Sequence, residues 1–236
     1  MSLRSISRIA AVLVAISQLA SASGQNAAPK YQMGTFYLAF LVKGPKWTSE
    51  DTPELRSLKE AHVARILELG KTGKLVLAGP IAGDSRLQGL GVLDVPTAEE
   101  AKRLFDDDPT IKAGLFSVEI HPWYAAKGIM KMPGGPLKLD TYYLGFLRKG
   151  SKWTPGETAE SQKIQEGHMA NINRLAALGK LVIAGPIGED DLRGVFVFKT
   201  ATPEEAKSLA DTDPAIRAGR LIMDLHQWMV PAGSLP

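Results

Sequence analysis

The 236-residue chain predicts an α+β protein built from two tandem ferredoxin-like units, each with the element order βαββαβ. Three observations carry this expectation. The sequence states itself twice: TFYLAFLVKGPKWT from Thr35 matches TYYLGFLRKGSKWT from Thr141, KLVLAGPI from Lys74 matches KLVIAGPI from Lys180, and EEAKRLFDDDP from Glu99 matches EEAKSLADTDP from Glu204. Each copy alternates short β-branched and aromatic runs with segments of helical period. Between the copies lies a polar stretch with Pro133, Gly134, Gly135 and Pro136, which reads as a linker. Two long units are too few for a solenoid, so the repeat is a duplicated domain.

The first residues stand apart from this plan. Arg4 and Arg8 precede an apolar run from Ile9 to Leu19, and Ala20-Ser21-Ala22 follows as an A-x-A cleavage signal. The run is too short to span a bilayer comfortably, so residues 1–22 read as a secretory signal peptide. The expected organisation is then a first domain over 31–125, a linker over 126–138 and a second domain over 139–230.

Within the first copy, Tyr37 to Val42 reads as a strand. KGPKWTSED turns the chain, and Asp51 or Thr52 caps a helix to about Lys71. Lys74 to Ile81 is a nearly all-apolar buried strand, and Gly89 to Val95 a third strand. Thr97, followed by Glu99 and Glu100, caps a second helix expected to end at Asp108 and Pro109, and Leu115 to Tyr124 is the fourth strand. Such a unit puts both helices on one face of an antiparallel sheet and leaves the other face uncovered. Two copies can close those faces on each other, with burial of apolar area at about 25 cal/mol per Å² as the driving term. One chain is therefore expected to be its own pseudo-dimer.

Composition removes several classes of function. The formal charge of +3 includes Arg4 and Arg8, so the mature chain lies near neutrality and carries no nucleic-acid footprint or membrane-binding basic patch. Lys127, Lys131 and Lys138 cluster around the linker, as solvated charges do. With no cysteine there are no disulfides and no lipoprotein anchor. No metal signature, Walker loop, dinucleotide fingerprint or G-x-S-x-G motif occurs, and no cofactor is expected.

Chemistry is carried instead by matched pairs. All four histidines fall in register between the copies, His62 with His168 and His121 with His226, as do all four tryptophans, Trp47 with Trp153 and Trp123 with Trp228. His62 sits on the apolar stripe of its helix with Leu55, Leu58, Ile66 and Leu69, a place that suits either a core histidine or a working one. Asp84 and Asp190 each follow their AGP segment by four residues, as ordinary turn residues or as carboxylates reaching the helix histidine. Asp108 and Asp213 precede proline, where they stop a helix or join a pocket. His121 and His226 share a strand face with the following tryptophan, either packing there or lining the space between the sheets. Trp47 and Trp153 suit a pocket lid or the capping of a barrel end.

The helix with H-[VM]-A, the G-K-L-[VI]-[LI]-A-G-P strand, the loop acid, the Gly-led strand, E-E-A-K, D-P and the last strand ending near Trp together resemble the YciI-like, or YCII-related, domains. The resemblance covers Phe36 to about Tyr124 and Tyr142 to about Met229. It implies ferredoxin-like units paired as a dimeric α+β barrel. It also implies a helix histidine paired with the loop aspartate, here His62 with Asp84 and His168 with Asp190. The family it points to contains small-molecule enzymes, among them a lyase-type dehydrochlorinase acting on a hydroxylated aromatic ring. Two features depart from it: the D-P pairs are followed by Thr110 and Ala215 where the family has an aromatic residue, and the chain begins with an export signal.

The expected function is an exported, periplasmic or extracellular small-molecule enzyme of lyase or isomerase type with a His/Asp general base. The alternative is a non-catalytic small-molecule-binding or structural module. Partners are then a small-molecule ligand and at most further copies of the chain, without nucleic acid or stable membrane insertion. Mass spectrometry of the exported protein should give a chain beginning at Ser23; an intact amino terminus would overturn the signal-peptide reading.

Overall fold

The computed structural model describes residues 32–83, 86–134, 138–188 and 191–236. The expected signal peptide with its cleavage signal and the loop acids Asp84 and Asp190 lie outside them. The first copy runs β1 (Met33–Lys43), α1 (Pro53–Lys71), β2 (Leu75–Pro80), β3 (Leu87–Leu93), α2 (Ala98–Arg103), α3 (Pro109–Lys112) and β4 (Phe116–Ala126). The second runs β5 (Leu139–Lys149), α4 (Ala159–Ala177), β6 (Leu181–Pro186), β7 (Leu192–Phe198), α5 (Pro203–Ala210), α6 (Pro214–Arg217) and β8 (Leu221–Pro231). The sheets are antiparallel, in the orders β2-β3-β1-β4 and β6-β7-β5-β8.

Local chemistry sets the helix starts. Thr52 caps α1 by accepting from the Leu55 amide, with Pro53 at the first helical position where its missing N–H costs nothing. Thr158 caps α4 in a box with Ser161, each side chain taking up the other's backbone N–H. The second helix differs from expectation. It stops at Arg103, and a separate one-turn helix begins at Pro109. Asp108 is extended because proline follows it, and its carboxylate accepts from the Thr110 amide, so the D-P pair starts a helix here.

Three apolar layers follow from the strand alternation. One packs Leu69, Leu75 and Phe105 between the helices and sheet of the first copy, and its counterpart packs Leu175, Leu181 and Phe198 in the second. The third lies between the sheets and draws on both copies, with Phe36, Leu38 and Trp123 meeting Leu144, Phe146 and Trp228. The rings of Phe40 and Phe146 sit 5.1 Å apart across that layer. The pseudo-dimer expected from the repeat is present, and residues 33–236 form one compact unit.

The edges of the sheets close on each other as well. The Trp123 indole Nε1–H donates to the Gly185 carbonyl at 3.2 Å, and that of Trp228 donates to the Gly79 carbonyl at 3.1 Å. Ile81 bridges to Trp228 and Trp123 to Ile187, while the Ala82 amide donates to the Gln227 carbonyl at 2.9 Å. β2 therefore meets β8 and β6 meets β4, turning two open sheets into an eight-stranded barrel.

The glycine of each AGP segment makes this approach possible. A Cβ built on Gly79 would stand 1.7 Å from the Met229 carbonyl oxygen, and one on Gly185 would stand 2.1 Å from that of Tyr124. Gly79→Ala should destabilise the barrel by about 1–3 kcal/mol, the usual range for overpacking. The check is thermal unfolding, where Gly79→Ala lowers Tm by several degrees and Gly134→Ala, in the linker with open space around it, leaves Tm unchanged.

Candidate functional site

Two histidine–carboxylate pairs are built where α1 and α4 pack against the short helices. His62 Nδ1 lies 2.6 Å from Asp108 Oδ2, and His168 Nδ1 lies 2.8 Å from Asp213 Oδ2. Both aspartates are fully buried, whereas the histidine side chains keep 16% and 11% exposure. Burial by itself would raise the Asp108 pKa. Hydrogen bonds from His62 and Thr110, with the attraction of the imidazole, outweigh it and hold the carboxyl below its ordinary value. An ionised Asp108 fixes the tautomer: Nδ1–H donates to the carboxylate, leaving Nε2 as the basic nitrogen.

The carboxylates expected beside the helix histidines, Asp84 and Asp190, lie outside the described residues. The position at Nδ1 is taken by Asp108 and Asp213. The first described residues after those loops, Arg86 and Asp191, line the space between the sheets, on the opposite face from α1 and α4.

The two pairs have diverged in their surroundings. Asp108 Oδ1 accepts from the Thr110 amide and is bonded by the Thr110 hydroxyl, whereas Asp213 Oδ1 accepts from the Ala215 amide. At Asp213 Oδ2 the Asn171 amide group also donates, at 3.3 Å, and Asn171 in turn accepts from Arg174 and Thr212. The position of Asn171 is held in the first copy by Arg65, whose guanidinium donates to the Leu104 carbonyl at 2.9 Å. The second pair is the more enclosed, and each histidine has an aromatic neighbour: Phe196 stacks 5.8 Å from His168, centroid to centroid. Phe116 lies 6.2 Å from His62 and 5.4 Å from Trp47, centroid to centroid. Trp47 carries the Lys43 ammonium over its ring at 5.2 Å, and Trp153 carries the guanidinium groups of Arg193 and Arg220 at 4.8 and 5.2 Å.

His121 and His226 belong to a different place. They line a cavity of about 830 Å³ between the sheets, with Phe40 and Phe146. Phe40 lies 4.4 Å from His121 and Phe146 lies 5.5 Å from His226. Burial lowers the His226 pKa; the charge of Asp224 raises it and that of Arg148 lowers it. Arg86 pairs with Glu119 at the mouth, and Arg148 pairs with Asp224 and Asp191 at 2.7 Å each. Neither His62, His168, Trp47 nor Trp153 lines this cavity. Among the described residues, no cluster of three or more His, Asp or Glu is placed to hold a metal ion, and no helix is long and apolar enough to cross a membrane.

The model of the YCII-related domain matches residues 35–124 and 150–228. The chain belongs to the YCII-related family. The tandem YCII-related protein also resembles solved structures in fold. A chlorite dismutase variant from Candidatus Nitrospira defluvii in complex with cyanide is 13% identical, with TM-score 0.54, over 85% of this chain and 92% of that one. A novel heme-binding protein from Thermus thermophilus is 12% identical, with TM-score 0.50, over 87% of this chain and 95% of that one. At these identities the likeness is one of fold. No curated protein matches the sequence.

Sequence reasoning placed Asp108 and Asp213 in a possible pocket without pairing them to the helix histidines, and it did not read the charged mouth of the cavity. A signal existed for both. Asp108 and Asp213 are retained in register, and an acid stands two residues before each strand histidine, Glu119 before His121 and Asp224 before His226, which places acid and histidine on one strand face. The depressed Asp108 pKa has a measurable consequence. A carboxyl depressed on folding contributes stability that is complete above its unfolded pKa, near 3.8, and is lost as the pH falls through the folded value. Asp108→Asn should therefore lower stability at neutral pH and flatten its decline below about pH 4, measured by urea unfolding across that range.

Proposed function

We propose that the tandem YCII-related protein is an exported small-molecule enzyme of lyase or isomerase type, with His62 as general base and His168 as its counterpart. The observation that carries this reading is the twice-built contact between a buried aspartate and Nδ1 of a part-exposed histidine. Among the described residues nothing bonds His62 Nε2, so that nitrogen is available to take a proton from substrate. Asp108 stabilises the imidazolium that forms, and the leaving group departs with its electron pair. The Phe116 ring beside His62, itself packed against Trp47, favours an aromatic substrate, in keeping with a hydroxylated ring of the kind on which a dehydrochlorinase acts. The more enclosed His168 is the better suited to a packing role, which makes the first copy the principal site.

The heme-binding protein of similar fold raises the question of a haem here. A histidine bonded to a carboxylate is a donor set that haem iron accepts. The residues do not fit the rest of that group. Neither dyad histidine borders the cavity between the sheets; the histidines that do, His121 and His226, are each packed against a phenyl ring, and both guanidinium groups at the mouth are already engaged by carboxylates. Those guanidiniums are not available to a haem's propionates.

Proton removal by a positioned base contributes about a hundred- to ten-thousandfold. In a screen of halogenated and hydroxylated aromatics for halide or proton release, His62→Ala/His168→Ala should cost at least a hundredfold on any compound turned over. Undiminished turnover, with only a lowered Tm, would leave the histidines as packing groups and favour the binding-module alternative. Asp108→Asn should reduce the rate and shift its pH profile while leaving KM nearly unchanged.

A further inference from the structure

The cavity between the sheets is separate from both histidine–aspartate pairs, and its walls have a definite chemistry. Its deep surface is apolar: Phe40, Phe146, Leu87 and Leu192 are each less than a tenth exposed. The flat groups in it are arranged as two ring pairs, Phe40 against His121 and Phe146 against His226, with the two phenyl rings 5.1 Å apart. Flat walls favour a flat guest, because stacked and tilted ring contacts add to the gain from apolar burial. The volume, about 830 Å³, lies in the range of small-molecule pockets.

Charge then selects among flat guests. Two guanidiniums, Arg86 and Arg148, face three carboxylates, Glu119, Asp191 and Asp224, and both guanidiniums are already paired. Among the described lining residues the ionised groups therefore sum to a negative charge, with the surplus at Arg148, which Asp191 and Asp224 share. An anionic guest would have to break an arginine–carboxylate pair to find a cation. A cationic guest finds surplus carboxylate at the mouth and the electron-rich faces of Phe40 and Phe146 within. The burial that lowers the His226 pKa keeps that ring from adding a positive charge.

We propose that this cavity is a binding site for a flat aromatic ligand that carries a positive charge, such as an aromatic amine, seated against the floor formed by the phenyl–histidine ring pairs with its charged end at the Asp191 and Asp224 side of the mouth. The site is formed by both copies, so a single unit would hold only half of it.

The test uses two probes with the same ring and opposite charge, tryptamine and indole-3-acetate, titrated by calorimetry into the full mature chain. Tryptamine should bind at least tenfold more tightly. Glu119→Gln/Asp224→Asn, which leaves two guanidiniums against one carboxylate, should bring the two affinities together or invert them. Phe146→Leu keeps the core filled but removes a ring face, and should weaken both probes. His62→Ala/His168→Ala should leave both affinities unchanged, which separates this site from the histidine–aspartate pairs. No binding of tryptamine at millimolar concentration, equal affinity for the two probes, or loss of binding in the His62/His168 variant would each overturn the proposal. The wild-type comparison decides the charge preference even if a variant fails to fold.

Discussion

The indole of one copy reaching the glycine carbonyl of the other is the contact on which the rest of the molecule depends. A four-stranded sheet with helices on one face has an uncovered apolar face and two exposed edges. Stacking two such sheets covers the faces but not the edges. The bonds from Trp123 to Gly185 and from Trp228 to Gly79 bring the last strand of each copy against the AGP strand of the other. They require a residue without a side chain at the meeting point, because the opposing backbone lies where a Cβ would be. A buried indole N–H also needs a partner, so the same contact satisfies the tryptophan and closes the barrel.

Closure sorts the polar residues into two environments. On the outer side, helices cover the sheets, and there the D-P aspartates serve two purposes at once. Each begins a short helix through one oxygen and holds a histidine through the other. With several fixed donors Asp108 stays ionised in spite of burial, and that condition orients the His62 imidazole beside it. On the inner side, most of the space is filled by interlocking apolar side chains. One end is left open, where the strand histidines and their neighbouring acids face each other across the phenyl rings. The two sites thus differ in kind: one is a proton-transfer group at a helix seam, the other a shaped space with a charged mouth.

The architecture was legible in the sequence because it rests on repetition and period, both of which survive substitution at individual positions. Strand order, helix caps at Thr52 and Thr97, and the pairing of uncovered faces all follow from patterns spread over many residues. The histidine's partner was harder to read because it depends on a single distance across the fold. Asp108 lies 46 residues from His62, and the sequence pattern around it reads first as punctuation, a helix ending before proline. That reading missed that an aspartate before proline is extended and so caps the helix that the proline begins. With its backbone in that conformation, one carboxylate oxygen turns to the helix and the other is left for His62. The cavity mouth was obscured for a different reason. Arginine and glutamate on strands look like ordinary surface charges until the barrel closes and places them around an opening.

Fusing the copies into one chain allows something a symmetric dimer cannot have. In a pair of identical chains, a residue at the mouth of a cavity on the twofold axis must appear on both sides with the same partners. Here the acids keep register, Glu119 with Asp224, but the guanidiniums that neutralise them do not. Arg86 comes from the residue just before β3 in the first copy, where the second copy has Asp191, and Arg148 comes from β5, where the first copy has Val42. Each side has met the same electrostatic requirement from a different strand, and the exchange of Arg86 for Asp191 leaves an extra carboxylate on the side of the second copy. The same freedom shows at the outer pairs, where Thr110 and Arg65 give way to Ala215 and Asn171. One copy can therefore keep an accessible histidine while the other encloses its own, and the shared cavity can recognise a ligand that lacks twofold symmetry.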